Sequence, residues 1–334
     1  MKKYTVGGLF VGIGGVELGF KKAGMKVVWA NEFDKNACKT YRANFNHILY
    51  EEDIHKLDPS ELESVDIITG GFPCQAFSVA GNRKGFSDPR GNLFFEIVRI
   101  IEGLTEKPKA LLLENVKNFY SHDNRNTYKV VHNTLEQLGY SVFTAILNTA
   151  DHSDIPQNRE RTFIVCFRNE VHWRLSSEML CSTDFDKRFP PKKLNVRKHI
   201  KEILFSEKVD SRYYYTSKNY MYKKLEESIK SRDTVYQWRR VYVRENQSNM
   251  CPTLTANMGT GGHNVPLIMD DFGIRKLTPR ECLRFQGYPD SFILPDEVSI
   301  SQQYKQAGNS VTVPIIKILA EAIKKSLDKK YINC

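Results

Sequence analysis

Tyr4-Thr5-Val6-Gly7-Gly8-Leu9-Phe10-Val11-Gly12-Ile13-Gly14-Gly15-Val16-Glu17-Leu18 is the stretch that decides the fold. It reads as an apolar strand over Tyr4–Phe10, a glycine-rich turn, and a helix beginning near Val16. A turn of this kind lets a ligand approach the backbone at a helix N-terminus. A dinucleotide loop would need G-x-G-x-x-G, and here the third glycine position is Glu17. An acid in the first helical turn also argues against a pyrophosphate there. Glu32 follows Gly12 by twenty residues and ends the next strand pattern, the usual place for a carboxylate that binds ribose hydroxyls. Asp53, after a third strand pattern, is placed to receive an adenine amino group. These features together point to an adenosine-type cofactor without phosphates.

Outward from this loop, the first half alternates strand and helix patterns. Strands are expected at Tyr4–Phe10, Lys26–Asn31, His47–Glu51, Val65–Thr69, Ala110–Leu113, Ser141–Leu147 and Arg161–Phe167. Helices are expected at Val16–Ala23, Lys35–Asn44, Leu93–Gly103 and Lys129–Leu138, with a last one at Val311–Leu327. Such alternation predicts an α/β fold with a mostly parallel sheet. Near Phe189-Pro190-Pro191 the pattern becomes basic, Tyr-rich and weakly periodic. The expected division is residues 1–188 plus 300–334 as one domain and 189–299 as a second, smaller one.

The 334 residues carry 49 Lys or Arg against 39 Asp or Glu, a net charge of +10. Between Lys187 and Glu245 there are 17 basic and 7 acidic residues, so that segment carries the whole excess. A neutral body with one basic segment suggests a polyanion partner. No run of eighteen apolar residues is present, which excludes an apolar helical membrane span. The apolar N-terminal stretch is broken by five glycines before Glu17 and does not read as a signal peptide. Seven scattered cysteines without a C-x-x-C pair fit reduced thiols and a cytoplasmic protein, with no metal site.

Gly70-Gly71-Phe72-Pro73-Cys74-Gln75-Ala76-Phe77-Ser78 follows the fourth strand pattern, where α/β proteins bind ligands. A cysteine there is placed for chemistry rather than packing. With this loop the chain resembles the DNA (cytosine-5) methyltransferases of bacterial type II restriction–modification systems, HhaI-like in pattern. The matching stretches are Phe10–Gly15, Gly71–Ser78, Glu114-Asn115-Val116, Gln157–Arg161, Arg275–Pro289 and Gly308–Val311, in the family's order. The resemblance implies a Rossmann-like S-adenosylmethionine-dependent fold with a smaller, irregular, mostly-β target-recognition domain. It implies an enzyme that methylates carbon-5 of a flipped-out cytosine in duplex DNA and so protects host DNA from a restriction endonuclease. The expected protein is a monomer that forms no stable complex with that endonuclease. It uses S-adenosylmethionine, leaves S-adenosylhomocysteine, and needs no metal.

Cytosine carbon-5 becomes nucleophilic once a nucleophile adds to carbon-6. A thiolate suits that step, being both a strong nucleophile and a reversible leaving group. By resemblance Cys74 is this nucleophile and Glu114 the acid at ring nitrogen-3. Arg161 reaches the cytosine carbonyl, and Arg159 helps hold the catalytic loop and the DNA backbone. The family's cofactor pocket maps onto Phe10, Gly12, Ile13, Gly14, Gly15, Glu32, Phe33, Asp53, Ile54, Gly71, Pro73, Leu93, Asn309 and Ser310. Gln75 and Ser78, with Lys84 and Arg90 in a mobile loop over Gly81–Gly91, are expected to contact DNA. So are Gln237, Arg239, Arg240 and Arg244 in the basic aromatic segment, Thr253 in the Thr-Leu core, and Gly261 in a glycine-rich loop. The competing readings are a tRNA cytosine-5 methyltransferase, an inactive DNA-binding regulator and a nicotinamide-dependent dehydrogenase. Glu17 and the missing glycine count against the last.

Overall fold

A computed structural model describes residues 3–72, 93–169, 189–194, 196–239, 241–246, 249–260 and 264–328. Pro73, Cys74, Gln75, Ser78, the loop 81–91 with Lys84 and Arg90, Arg240 and Gly261 lie outside the described residues. The main sheet contains β1 (Thr5–Leu9), β2 (Lys26–Asn31), β3 (Ile48–Tyr50), β4 (Ile67–Gly71), β5 (Ala110–Val116), β6 (Tyr140–Asn148) and β8 (Glu160–Arg168). Their order is β3-β2-β1-β4-β5-β8-β6. The first five are parallel, whereas β8 runs antiparallel to both neighbours. The expectation of a mostly parallel sheet is therefore met, with β8 as the antiparallel strand at one side. There β5 continues to Val116, three residues past the expected end, because Glu114, Asn115 and Val116 pair with Phe163, Thr162 and Arg161.

Strand order reverses at β1, which lies between β2 and β4. A crevice forms outside the carboxyl ends of the strands at such a reversal. Phe10 to Gly15 sits there, with Gly71 beside it. The helices on the two faces supply the cores. On one side α1 (Gly15–Lys22) and a long C-terminal helix, Val313–Asp328, bury Phe20, Ile316, Leu319 and Ile323 against Ile67 and Val165. On the other, the helix Leu93–Gly103 buries Ile97, Ile100 and Ile101 against Trp29, Leu111 and Leu113. The helix Asn126–Gln137 adds Val131 and Leu135 to that side.

The second region builds an antiparallel sheet of β9 (Tyr236–Arg239), β10 (Tyr242–Glu245), β12 (Leu267–Asp270) and β13 (Gly273–Lys276), in the order β10-β9-β12-β13. Its small core holds Met221, Leu225, Ile229, Tyr236, Trp238, Leu267 and Ile274. Two connections join it to the main sheet. β7 (Gln157–Asn158) pairs in parallel with β11 (Cys251–Pro252), and a shared core joins Val11 and Ile13 to Val235, Leu254 and Tyr304. Among the helices that went unread in the sequence are Pro279–Arg284 and Ile300–Asn309. Both start from capping side chains, Thr278 and Ser299, rather than from an apolar stripe.

Arg275 joins β13 to the first of these helices. It is fully buried, forks onto both carboxylate oxygens of Glu281 at 2.8 Å, and donates from Nε to Asp270 at 2.6 Å. Glu281 also accepts from the Thr278 backbone and hydroxyl, completing a capping box. Removing one partner would strand a buried charge, which costs about 3–5 kcal/mol. Arg275→Ala should lower unfolding stability by that amount in urea titration. A loss below about 1 kcal/mol would mean that water replaces the network without penalty.

Candidate active site

The cofactor half of the crevice begins where β1 ends. Phe10 and Gly12 both adopt left-handed backbone, with φ of 55° and 56°. A side chain at Gly12 would point into open space, with nothing within 4 Å of its Cβ, so the missing Cβ leaves a cradle at the mouth of the loop. Glu32 closes this cradle from β2. One carboxylate oxygen accepts from Gly12 N at 2.9 Å, and the other from Phe33 N at 3.0 Å and Asp34 N at 2.8 Å. Glu32 therefore shapes the loop as well as facing it.

Phe33 is 68% exposed beside Glu32, the exposure expected of a ring that awaits a flat ligand. Asp53 and Ile54 behave differently from each other. Asp53 is half-exposed and accepts from the His55 backbone at 3.0 Å and from its ring at 2.5 Å. Hydrogen bonds from His55 hold its carboxyl below the usual range. Ile54 is buried in the core, and its carbonyl accepts from Arg99 at 2.6 Å. Leu93 packs at the edge of the same core. Ile13 is buried in the shared core, while Gly14 and Gly15 press against Phe45 and Tyr288. A glycine cradle, an exposed ring and a strand-end carboxylate fit an uncharged adenosine better than a polyphosphate.

The expected catalytic residues Glu114 and Arg161 meet near the end of β5. Glu114 is paired with Arg161 on β8, Nε to Oε1 at 3.1 Å. Burial raises the Glu114 pKa, while Arg161 and Arg159 oppose that shift. Gly71 approaches within 3.5 Å of Glu114 Oε2, measured from an ideal Cβ. Asn115 donates from its side chain to the Phe72 carbonyl at 2.8 Å, two residues before Cys74. It was quoted in the sequence only as part of a motif, and its role as a tether for the Pro-Cys loop was not legible there.

Arg159 is buried. It donates to the Leu254 carbonyl at 2.7 Å, to Gly308 at 3.2 Å, and to the Ser310 carbonyl. These contacts are all internal to the chain. Ser310 Oγ shares a hydrogen with Tyr288 at 2.5 Å, and Asn309 ends the helix Ile300–Asn309 beside it. Thr253 Oγ donates to the Asn158 carbonyl at 2.6 Å, next to Arg159. Gln157, buried and quoted in the sequence only as part of a motif, donates to the Phe285 carbonyl at 2.6 Å. Gln237, Arg239, Arg244 and Thr253 line one cavity of about 500 Å³ in the second region.

The sequence over residues 4–325 matches the family described as C-5 cytosine-specific DNA methylase. The chain belongs to that family. It is 51% identical over 327 residues to the type II methyltransferase M.Bsp6I of Bacillus sp. (strain RFL6), covering 96% of this chain and 99% of that one. With M.HhaI of Haemophilus parahaemolyticus identity is 37% over 335 residues, 96% of this chain and 94% of that one. Among solved structures, a mutant of the Spodoptera frugiperda protein DNMT2 superposes with a TM-score of 0.74 at 22% identity. That alignment covers 96% of this chain and 100% of that one. This likeness carries the fold, the Rossmann-like architecture of S-adenosylmethionine-dependent methyltransferases.

Within the family frame, the described cysteines separate from Cys74. Cys38, Cys166, Cys251 and Cys282 are all buried, and burial pushes each thiol above its usual pKa. None of the four is suited to act as a thiolate.

Glu17 differs from its sequence reading. It is 1% exposed, with one oxygen 3.4 Å from the Thr69 hydroxyl and the other without a hydrogen-bond partner. Burial, reinforced by Glu32, raises its pKa to about 8. Near neutral pH it is therefore mostly uncharged, so it does not repel a phosphate through full negative charge. Between its ordinary value of 4.5 and about 8, folded Glu17 keeps a proton that the unfolded chain releases. Its contribution to stability thus falls as pH rises through that window. Glu17→Gln should remove this slope. The variant should gain on the wild type by up to about 4 kcal/mol between pH 5 and 8, at roughly 1.4 kcal/mol per unit. Parallel stability curves for the two proteins in urea would show that Glu17 ionises freely.

Proposed function

We infer that the chain is a DNA (cytosine-5)-methyltransferase that modifies one short duplex sequence and shields host DNA from a cognate restriction endonuclease. The observation that carries this is the partly buried Glu114–Arg161 pair near the end of β5, beside the strand that leads towards Cys74. Family membership gives that pair its reaction. The family and the extent of the match favour DNA over tRNA as substrate. The intact Cys74, Glu114 and Arg161 disfavour an inactive regulator.

In the proposed mechanism Cys74, as thiolate, adds to cytosine carbon-6. Glu114, with a pKa raised by burial, supplies a proton to ring nitrogen-3, so that electron density gathers at carbon-5. Arg161 orients Glu114 and donates to the cytosine carbonyl. S-adenosylmethionine, when bound, supplies an electrophilic methyl and leaves as S-adenosylhomocysteine. Loss of the carbon-5 proton to a base then expels the Cys74 thiolate, and nitrogen-3 returns its proton to Glu114. The residues that would hold the cofactor are Phe10 to Gly15, Glu32, Phe33, Asp53, Ile54, Gly71, Pro73, Leu93, Asn309 and Ser310. Of these, Ile54, Ile13 and Ser310 would act through backbone or packing, since their side chains are already engaged.

The proposed division keeps residues 1–188 and 300–334 as the catalytic and cofactor-binding domain and 189–299 as the recognition domain. No helix among the described residues is long and apolar enough to cross a membrane. We assign the protein to the bacterial cytoplasm, as a monomer that meets its endonuclease only through shared DNA.

Cys74→Ser should abolish methyl transfer to duplex DNA while leaving DNA binding intact, because the hydroxyl does not ionise at neutral pH. Wild type should form a covalent complex with duplex carrying 5-fluorocytosine at the target, and Glu114→Gln should slow its formation by at least about a hundredfold. A serine variant of near wild-type rate would remove Cys74 from the reaction. Equal transfer to tRNA would replace the substrate.

Glu32→Ala should weaken S-adenosylmethionine binding about tenfold or more in calorimetry, as losing a hydrogen bond to a charged group costs roughly 1.5–3 kcal/mol. An unchanged dissociation constant would take Glu32 out of the site.

A further inference from the structure

A single helical turn, Ile54–Lys56, follows β3. Glu32 donates its backbone N–H to the Tyr50 carbonyl at 3.1 Å, which sets the end of β3 beside the strand-end carboxylate. Asp53 caps the turn by accepting from the His55 N–H. The Ile54 N–H is the first of the turn, where a helix offers no acceptor of its own. Adenine carries an amino donor beside a ring-nitrogen acceptor. A carboxylate followed directly by an N–H matches that edge, and Asp53 and Ile54 supply the two in succession.

The turn is held from outside at both ends. At its entry the buried Asn31 amide donates to the Tyr50 and Glu52 carbonyls at 3.0 and 2.9 Å. At its exit Arg99, on the helix Leu93–Gly103, donates to the Ile54 carbonyl at 2.6 Å and to the Leu57 carbonyl at 2.9 Å. Glu96, one turn earlier on that helix, accepts the Nε–H at 2.6 Å. All three nitrogens of the guanidinium are thus engaged, and its planar fork is fixed. Ile54 and Leu57 bury their side chains in one core with Ile97, Ile100 and Ile101 of the same helix. Apolar burial is non-directional and sets how deep the turn sits. The two hydrogen bonds are directional and set its rotation, and with it the aim of the Asp53 carboxylate and the Ile54 N–H.

We propose that Arg99 is a positioning residue for the cofactor's adenine, clamping the Ile54 and Leu57 carbonyls so that Asp53 and the Ile54 N–H face the base together. This rests on the reading of the chain as an S-adenosylmethionine-dependent methyltransferase with Asp53 and Ile54 at the adenine. Arg99 touches neither the base nor the reacting atoms. Its effect is confined to the base, because Glu32 is held separately by the N–H groups of Gly12, Phe33 and Asp34. A general support of the crevice would instead weaken every ligand alike.

The experiment compares S-adenosylhomocysteine with S-inosylhomocysteine by calorimetry on the full chain. Hypoxanthine sets a carbonyl where adenine has its amino group and an N–H at the neighbouring ring nitrogen, so both partners are reversed. Wild type should bind the adenosyl compound about tenfold or more tightly, the cost of unmaking a hydrogen bond to a charged group. Arg99→Met keeps the stem and removes the fork. It should shrink that preference at least about fivefold and leave S-inosylhomocysteine binding within about twofold of wild type. Arg99→Lys covers the case in which the methionine variant does not fold. One ammonium cannot span both carbonyls in the fixed plane of the fork, so the preference should still fall by about threefold or more. Equal losses for the two compounds in a folded variant would make Arg99 a general support and overturn the inference, as would an unchanged preference or a wild type without one. In each of these cases the reading of the crevice as a cofactor site stands. If wild type binds neither compound, that reading fails and the inference falls with it.

Discussion

Arg159 spends its hydrogen bonds on the carbonyls of Leu254, Gly308 and Ser310. These acceptors come from two segments far apart in the chain, one in the second region and one just before the C-terminal helix. A buried cation held by neutral oxygens is costly to assemble, and burial lowers its pKa. Its planar fork can satisfy several carbonyls in different directions, which an ammonium on a flexible stem does less well. The same residue sits next to β8, whose Arg161 pairs with Glu114. Glu114, the Leu254 segment and the Gly308–Ser310 segment thus all meet around one side chain. Gly308 belongs to this junction. A Cβ there would lie 2.1 Å from the backbone of Thr255, so the two segments are packed main chain to main chain.

Three carboxylates around the crevice show how surroundings divide one functional group into different roles. Glu32 accepts three backbone N–H groups and is a fixed element of the loop wall. Glu114 is partly buried, and the rise that desolvation imposes on its pKa is opposed by two guanidinium groups, Arg161 and Arg159. Glu17 is buried without any cation and keeps its proton to about pH 8. Desolvation acts on all buried acids alike, and the neighbouring donors and cations decide the outcome.

The first half of the fold could be read from the chain because its signals are local. The strand Lys26–Asn31 and the helix Leu93–Gly103 fall on their expected limits. The glycine loop and the Pro-Cys loop likewise announce themselves in neighbouring residues. What stayed hidden depends on distant contacts. The antiparallel course of β8 is a property of pairing between segments about fifty residues apart. The helix Ile300–Asn309 is polar along most of its length and buries Tyr304, Ala307 and Gly308 against Ala256–Gly259 and the rest of the shared core. Asn115 and Gln157 owe their roles to single backbone carbonyls, Phe72 and Phe285, that no local pattern reveals. Glu17 was visible as an exception to a motif, but its burial was not.

The β9–β10 hairpin keeps Tyr236 and Trp238 for the core and turns Gln237, Arg239 and Arg244 to a cavity on the other face. Folding and, in the proposed recognition role, target choice are therefore written in alternate codons of one short segment. Substitutions at the outward positions escape the purge that removes misfolded variants, since exposed replacements seldom shift stability by more than about 0.5 kcal/mol. A lineage carrying this architecture can drift to a new methylation pattern in few steps. In the proposed restriction–modification role, the restraint on that drift would come from outside the molecule, in the need to keep marking every site that a cognate endonuclease cuts.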